Sequence, residues 1–283
     1  MKLRGVGVGN GCAGYAVDGA CGPDSLDVFI SVLEQGAPGV SRSALSNARA
    51  ECGAQLRGGA QCAADLTAPC AAALDAVFED VATYNQYSWG SPCGPDGDGN
   101  WGAGAAFVCG AADALSTYLL TLETQRALHV VAPNAKAPIA WEAWDGDSSF
   151  YDITAANVLP VYKSLLAANV TMLIYNGLRD TAVPAVGARE WVRSIAGAVV
   201  SPRRKWAQST TKASSARVAG WVTTYASGAR YAEVIGAGHL VPAERPEAAL
   251  TLVASWIAGR DPPVYTGAKC KRLWGGRGYI DFC

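Results

Sequence analysis

The sequence predicts an α/β fold that carries a helical, cysteine-rich insertion, and three stretches lead to that class. An apolar run, Thr171-Met172-Leu173-Ile174-Tyr175, ends in Asn176-Gly177 and delivers Asp180 ahead of Thr181 and Pro184. A run of that kind suits a strand covered on both faces, and an acid on the loop after it stands where such sheets place functional groups. Further on, Arg217–Tyr225 alternates as a strand and Ser227-Gly228 turns it back into Arg230–Ile235. That hairpin delivers His239 within Gly236-Ala237-Gly238-His239-Leu240-Val241-Pro242. Between Ser25 and Leu128 the texture changes to alanine and cysteine at helical spacing.

Composition removes several function classes. Half of the 283 residues are hydrophobic and 17% are charged, which is globular and allows a sizeable core. A net charge of −1 leaves no electrostatic footprint for nucleic acid or for an anionic membrane. The one basic cluster, Arg203-Arg204-Lys205, reads as a solvated loop edge. No apolar run approaches the length of a membrane span.

The nine cysteines include no Cys-x-x-Cys, and neither of the two histidines lies near a cysteine pair. Neither a metal nor a cofactor is therefore expected. A disulfide framework in an oxidising compartment fits better. Local spacing allows Cys12 with Cys21, Cys93 with Cys109, Cys270 with Cys283, and two of Cys52, Cys62 and Cys70, with the connectivity open. Asn169-Val170-Thr171 is a glycosylation acceptor sequence, which agrees with secretion. Against it, Met1-Lys2-Leu3-Arg4 leads directly into Gly5-Val6-Gly7, with no apolar leader between them.

Taken in order, Lys2 to Val8 reads as a short buried strand. The next residues, Gly9-Asn10-Gly11-Cys12-Ala13-Gly14, match the dinucleotide-binding pattern, but that pattern needs a helix opening at the motif. Asp18-Gly19 and Gly22-Pro23 break helices instead, so no dinucleotide is expected. Helices follow from Asp24 or Ser25 (apolar at Leu26, Phe29, Ile30 and Leu33, closed by Gly36), over Ser43–Arg57, over Cys70–Tyr84 and over Ala112–Leu128. A loop dense in Gly, Pro and Asp runs from Ser88 to Gly104, and another follows Trp141-Glu142-Ala143-Trp144. A helix over Asn157–Ala168 leads into the Asp180 strand, then come a helix over Val186–Ile195 and a strand over Lys205–Gln208. After His239, Pro246 suits the first turn of a helix to Ala258 whose apolar face is Leu250, Val253, Trp256 and Ile257. The segment from Cys270 to Cys283 reads as a small stapled extension, and His129 reads as structural, with no acid or nucleophile motif around it.

TMLIYNGLRD, residues 171–180, and VIGAGHLVPAERPEAAL, residues 234–250, together closely resemble the serine carboxypeptidase family. In that family the same two signatures carry the catalytic aspartate and histidine, and acid before histidine is also the order of α/β-hydrolases. The resemblance implies a catalytic pair, Asp180 as orienter and His239 as base, acting on the C-terminus of a peptide. It implies an α/β-hydrolase core from residues 1–24 and 129–283, with residues 25–128 as a helical insertion over the active site. Gly9-Asn10-Gly11 resembles the end of the strand that follows the nucleophile's helix. Thr83-Tyr84-Asn85-Gln86-Tyr87 loosely resembles the family's Asn-x-Tyr-Asp element, and Thr124–Val130 resembles the segment re-entering the main domain. Where many members carry a cysteine, this chain has Trp144.

Peptide hydrolysis by this route needs a serine in Gly-x-Ser-x-Gly, and no serine of the chain stands in that context. By resemblance the nucleophile, the oxyanion donors and the first strands of the sheet lie upstream of Met1. Three expectations follow. The chain is part of a carboxypeptidase that is inactive alone, or it is one chain of two whose partner brings the serine, or it is a non-catalytic binder of peptides. Serine-carboxypeptidase-like acyltransferases share the pair and the fold. The implied localisation is the secretory pathway, vacuolar or extracellular.

Overall fold

The computed structural model describes residues 2–18, 21–22, 24–35, 39–57, 66–81, 85–89, 116–140, 155–208, 217–266, 271–275 and 278–282, the last two stretches by their backbone. The expected pairs Cys93–Cys109 and Cys270–Cys283, the loop from 90 to 104 and the Trp141–Trp144 stretch lie outside these residues.

Five strands form the main sheet: β1 (Gly5–Gly9), β2 (Thr171–Gly177), β3 (Val199–Ala207), β4 (Val218–Tyr225) and β5 (Ala229–Val234), in the spatial order β1-β2-β5-β4-β3. The β1, β2 and β5 strands run parallel, with Gly5 opposite Thr171 and Met172 opposite Ala229. From β5 outward the sheet is antiparallel, through the β4–β5 hairpin whose turn holds Gly228 at φ 89°. A left-handed residue is needed there, and glycine supplies it without a Cβ clash. A separate two-stranded ribbon, β6 (Lys271–Gly275) and β7 (Gly278–Phe282), closes the described chain.

Side chains alternate across β2, and each face finds a different helix. Met172 and Ile174 pack with Trp191, Val192 and Ile195 of α6 (Ala185–Ala196) and with Leu166 of α5 (Leu159–Ala167). Leu173 faces the other way, with Val222, Val234, Ala248 and Leu252, the last two on α8 (Pro246–Ile257). The one-turn helix α7 (Val241–Glu244) precedes α8. Burying each of these large side chains contributes roughly 1.5–3 kcal/mol, so the double cover fixes the register of β2 and hence the position of Asp180.

The helices α1 (Ser25–Glu34), α2 (Arg42–Arg57) and α3 (Ala68–Val81) build a second core from Ile30, Leu33, Leu45, Leu56, Leu74 and Val77. The Cys52–Cys70 bridge lies inside it, which selects one of the pairings left open among Cys52, Cys62 and Cys70. The other described bridge, Cys12–Cys21, staples the loop after β1.

Three expectations are corrected. The first strand is shifted to Gly5–Gly9 and is half exposed, because among the described residues it pairs only with β2. The helix expected over Ala112–Leu128 is described from residue 116 as one turn, 116–119, followed after a break by α4 (Leu122–Ala127). The break has a local cause: Thr121 turns extended and its hydroxyl accepts the Thr124 N–H, capping a new start. On α8 the buried face is Ala248, Ala249, Thr251 and Leu252, while Leu250 and Ile257 are exposed. Trp256 causes this by lying under β1, where a Cβ added at Gly5 would meet its ring at 2.5 Å. Glycine there lets the helix approach the sheet on its small residues.

Candidate active site

Asp180 and His239 meet at the carboxyl ends of the adjacent parallel strands β2 and β5. The chain leaves β2 through Asn176-Gly177 and turns at once. A Cβ at Gly177 would lie 2.0 Å from the Gly238 carbonyl oxygen, so the two loops touch backbone to backbone. Asp180 is buried, and its carboxylate is fully engaged. Its Oδ1 accepts the backbone N–H of Ala182 at 2.9 Å and of Val183 at 3.1 Å. Its Oδ2 accepts the side-chain amide of Asn10 at 2.6 Å and lies 2.8 Å from His239 Nδ1. Burying an anion is costly unless it is paired and hydrogen-bonded, and four donors meet that need.

His239 sits on the turn after β5, with Gly236 at φ 72° and Gly238 beside it. Its ring is partly exposed and lies edge-on to Tyr87, centroids 5.2 Å apart. The hydrogen bond to Asp180 raises the imidazole pKa above its ordinary value, against the opposing effect of burial. With Nδ1–H donated to Asp180, the neutral ring carries its lone pair on Nε2, which makes Nε2 the basic nitrogen.

Asn10 is the residue that the sequence reading passed over. It stands at φ 45° where β1 ends, a conformation Asn tolerates, and its N–H donates to the Tyr175 carbonyl at 2.8 Å. The Gly9-Asn10-Gly11 triplet was the available signal: two glycines around a polar residue mark a sharp strand end. Glu244, inside the His239 motif, and Ser88 were also given no role. No helix opens at Gly9–Gly14, and the first one begins at Ser25. The other histidine, His129, is exposed in a left-handed turn after α4.

An acid and a histidine on loops after neighbouring parallel strands, flanked by helices on both faces, define the later part of an α/β-hydrolase. The chain belongs to the serine carboxypeptidase family, whose sequence model matches residues 1–259. Among its relatives, serine carboxypeptidase-like 33 of Arabidopsis thaliana is 31% identical over 147 residues, 52% of this chain and 29% of that protein. Serine carboxypeptidase ctsa-4.1 of Caenorhabditis elegans is 26% identical over 158 residues, 54% of this chain and 33% of that protein. These matches thus span about a third of the relatives' own length. The crystal structure of Kex1(delta)p, a prohormone-processing carboxypeptidase from Saccharomyces cerevisiae, superposes with a TM-score of 0.59 at 13% identity, over 98% of this chain and 57% of that one. That likeness shows the fold.

Proposed function

We propose that this chain supplies the general base, His239, and its orienting acid, Asp180, for a serine-type carboxypeptidase reaction at the C-terminus of a peptide. The observation that carries the reading is the 2.8 Å contact between Asp180 Oδ2 and His239 Nδ1. In the reaction a serine Oγ attacks the scissile carbonyl while His239 Nε2 takes its proton, and the imidazolium then returns the proton to the leaving amine. Asp180 holds the tautomer and stabilises the imidazolium without itself taking the proton.

Since no serine here stands in Gly-x-Ser-x-Gly, the nucleophile in this reading comes from polypeptide outside the 283 residues. The free edge of β1 supports that arrangement. Its carboxyl end leads to Asn10, which touches Asp180, so a strand added in parallel would end beside the pair. The two disulfides support an oxidising, secretory-pathway setting. Among the described residues no helix is long and apolar enough to cross a membrane.

The test is to co-express the chain with a family N-terminal half carrying Gly-x-Ser-x-Gly and to assay release of the C-terminal residue from a blocked dipeptide. Hydrolysis is expected from the pair and not from this chain alone, and it should fall by about 10⁴-fold with Asp180→Asn. Activity of the pair that survives His239→Ala would sink the reading. Acyl transfer to an added alcohol in preference to water would redirect it to the acyltransferase chemistry.

A further inference from the structure

Five residues from the insertion side, Asn85 to Trp89, run between the two catalytic loops and bond to both. On the aspartate side, the Gln86 carbonyl accepts Thr181 N–H at 2.8 Å, Ala182 N–H at 3.2 Å and the Thr181 hydroxyl at 2.7 Å. Trp89 N–H donates to the Arg179 carbonyl at 2.7 Å. On the histidine side, the Tyr87 carbonyl accepts the backbone N–H of His239 itself at 2.6 Å. The Ser88 hydroxyl donates to Glu244 Oε2 at 2.6 Å, and Glu244 Oε1 accepts Gly238 N–H at 3.0 Å.

Gly238 is the point where these parts converge. A Cβ there would lie 2.1 Å from the Tyr87 carbonyl oxygen, 2.7 Å from Ser88 Cα and 2.8 Å from Glu244 Oε1. The absent side chain is therefore what admits the segment to the loop. Asn85 shapes the segment from below, its Oδ1 accepting Tyr87 N–H at 2.9 Å.

We propose that Asn85–Trp89 is a clasp that fixes His239 relative to Asp180, with Ser88 and Glu244 as its positioning residues. The proposal rests on the reading of His239 as the base and names what holds that base in place. A loop tied to its neighbour only through one imidazole hydrogen bond would sample other ring positions. Here the backbone on either side of the ring is held by a third segment, so geometry is set before any substrate arrives. The insertion would then take part in the chemistry through one short stretch of backbone and one Ser–Glu bridge.

The chain's two histidines make the test direct, because imidazole NMR gives one curve for His239 and an internal control from exposed His129. In Ser88→Ala and in Glu244→Ala, the His239 titration should move down toward the ordinary imidazole value as the Asp180 bond loosens, with His129 unmoved. Glu244→Gln keeps an acceptor for Gly238 N–H and should recover most of the native curve. A His239 curve unchanged in both alanine variants overturns the clasp. So does a Glu244→Gln curve displaced as far as that of Glu244→Ala, since the effect would then be charge alone.

Should the variants fail to fold, hydrogen exchange on the unmodified chain decides. The His239 and Trp89 amides should exchange more slowly than an open loop by at least about tenfold, and free exchange at both overturns the proposal. These readouts need no substrate, so the clasp can fail while the hydrolysis test stands, and the reverse.

Discussion

The α1–α3 insertion buries Ile30, Leu33, Leu56, Leu74 and Val77 around a disulfide, with an alanine-lined interior at Ala48 and Ala73. The sheet buries Met172, Leu173, Ile174, Trp206 and Val234, and with them Asn10, Asn176, Asp180, Thr181 and Glu233. One region is an apolar bundle of neighbours in sequence. The other brings together groups as far apart as Asn10 and Asp180, 170 positions distant, and hides polar atoms that must find partners. Glu233 shows the cost of that choice: buried on β5, it is met by both Arg189 and Arg203. Polar groups are held inside the region that rests on long-range pairing, and the candidate site lies there. The insertion reaches it only through Asn85–Trp89.

The largest effect should come from breaking the sheet side. Trp206 is fully buried between β4 and α8, with its indole N–H toward the Glu233 carbonyl at 3.4 Å. Trp206→Ala should cost about 3–5 kcal/mol, read from denaturant midpoints. Hydrogen exchange should show loss of protection through β2, β4 and β5 with α2 and α3 largely retained. Equal loss in the helices would mean that the two regions unfold as one.

Opening the Cys52–Cys70 bridge is the reciprocal experiment. The bridge closes a separation of 18 residues, which corresponds to about 3 kcal/mol of stabilisation through the unfolded state. The Cys52→Ser, Cys70→Ser pair should loosen α2 and α3 and leave the β5 amides protected. Faster exchange along β5 would break the division drawn here.

Much of this division was legible in the sequence because each region has its own period. The apolar run of β2, the β4–β5 hairpin with its Ser-Gly turn, and the helical spacing of α1–α3 follow from local rules. The two loops bearing Asp180 and His239 were marked by Asn-Gly and Gly-x-Gly turns, which constrain the backbone whatever surrounds them. What escaped notice depends on partners distant in sequence. Nothing near Asn10 says that its amide will meet a carboxylate, and nothing near Ser88 points to Glu244. The rotation of α8 was hidden for the same reason, since only the approach of Trp256 to Gly5 decides which face turns inward.

A smaller change tests whether the buried polar groups act as one network. Asn10→Gly suits the φ of 45° and removes only the amide that Asp180 Oδ2 accepts. One lost bond to a buried carboxylate should cost about 1–3 kcal/mol by denaturant titration. The His239 resonance should shift with it, because the same oxygen serves both donors. A stability loss with an unmoved His239 would show the network to be divided.

The smallest effect follows from the sign of the His239 shift. Its folded pKa is raised above 6.5, first by the Asp180 hydrogen bond, so the fold favours the protonated ring. The stability this contributes is full below the unfolded value of 6.5 and is lost as pH rises through the folded value. Melting temperatures of the native chain and of His239→Gln, compared across that window, should therefore converge toward higher pH. The insertion contributes nothing to this slope directly, so Ser88→Ala should flatten it only by way of the clasp. A difference that widened with pH would mean that the ring meets no acid in solution. The same sign sets a tension at the site. Protonation strengthens the pair but occupies Nε2, and the ring becomes a usable base only where this part of its stabilisation has been given up.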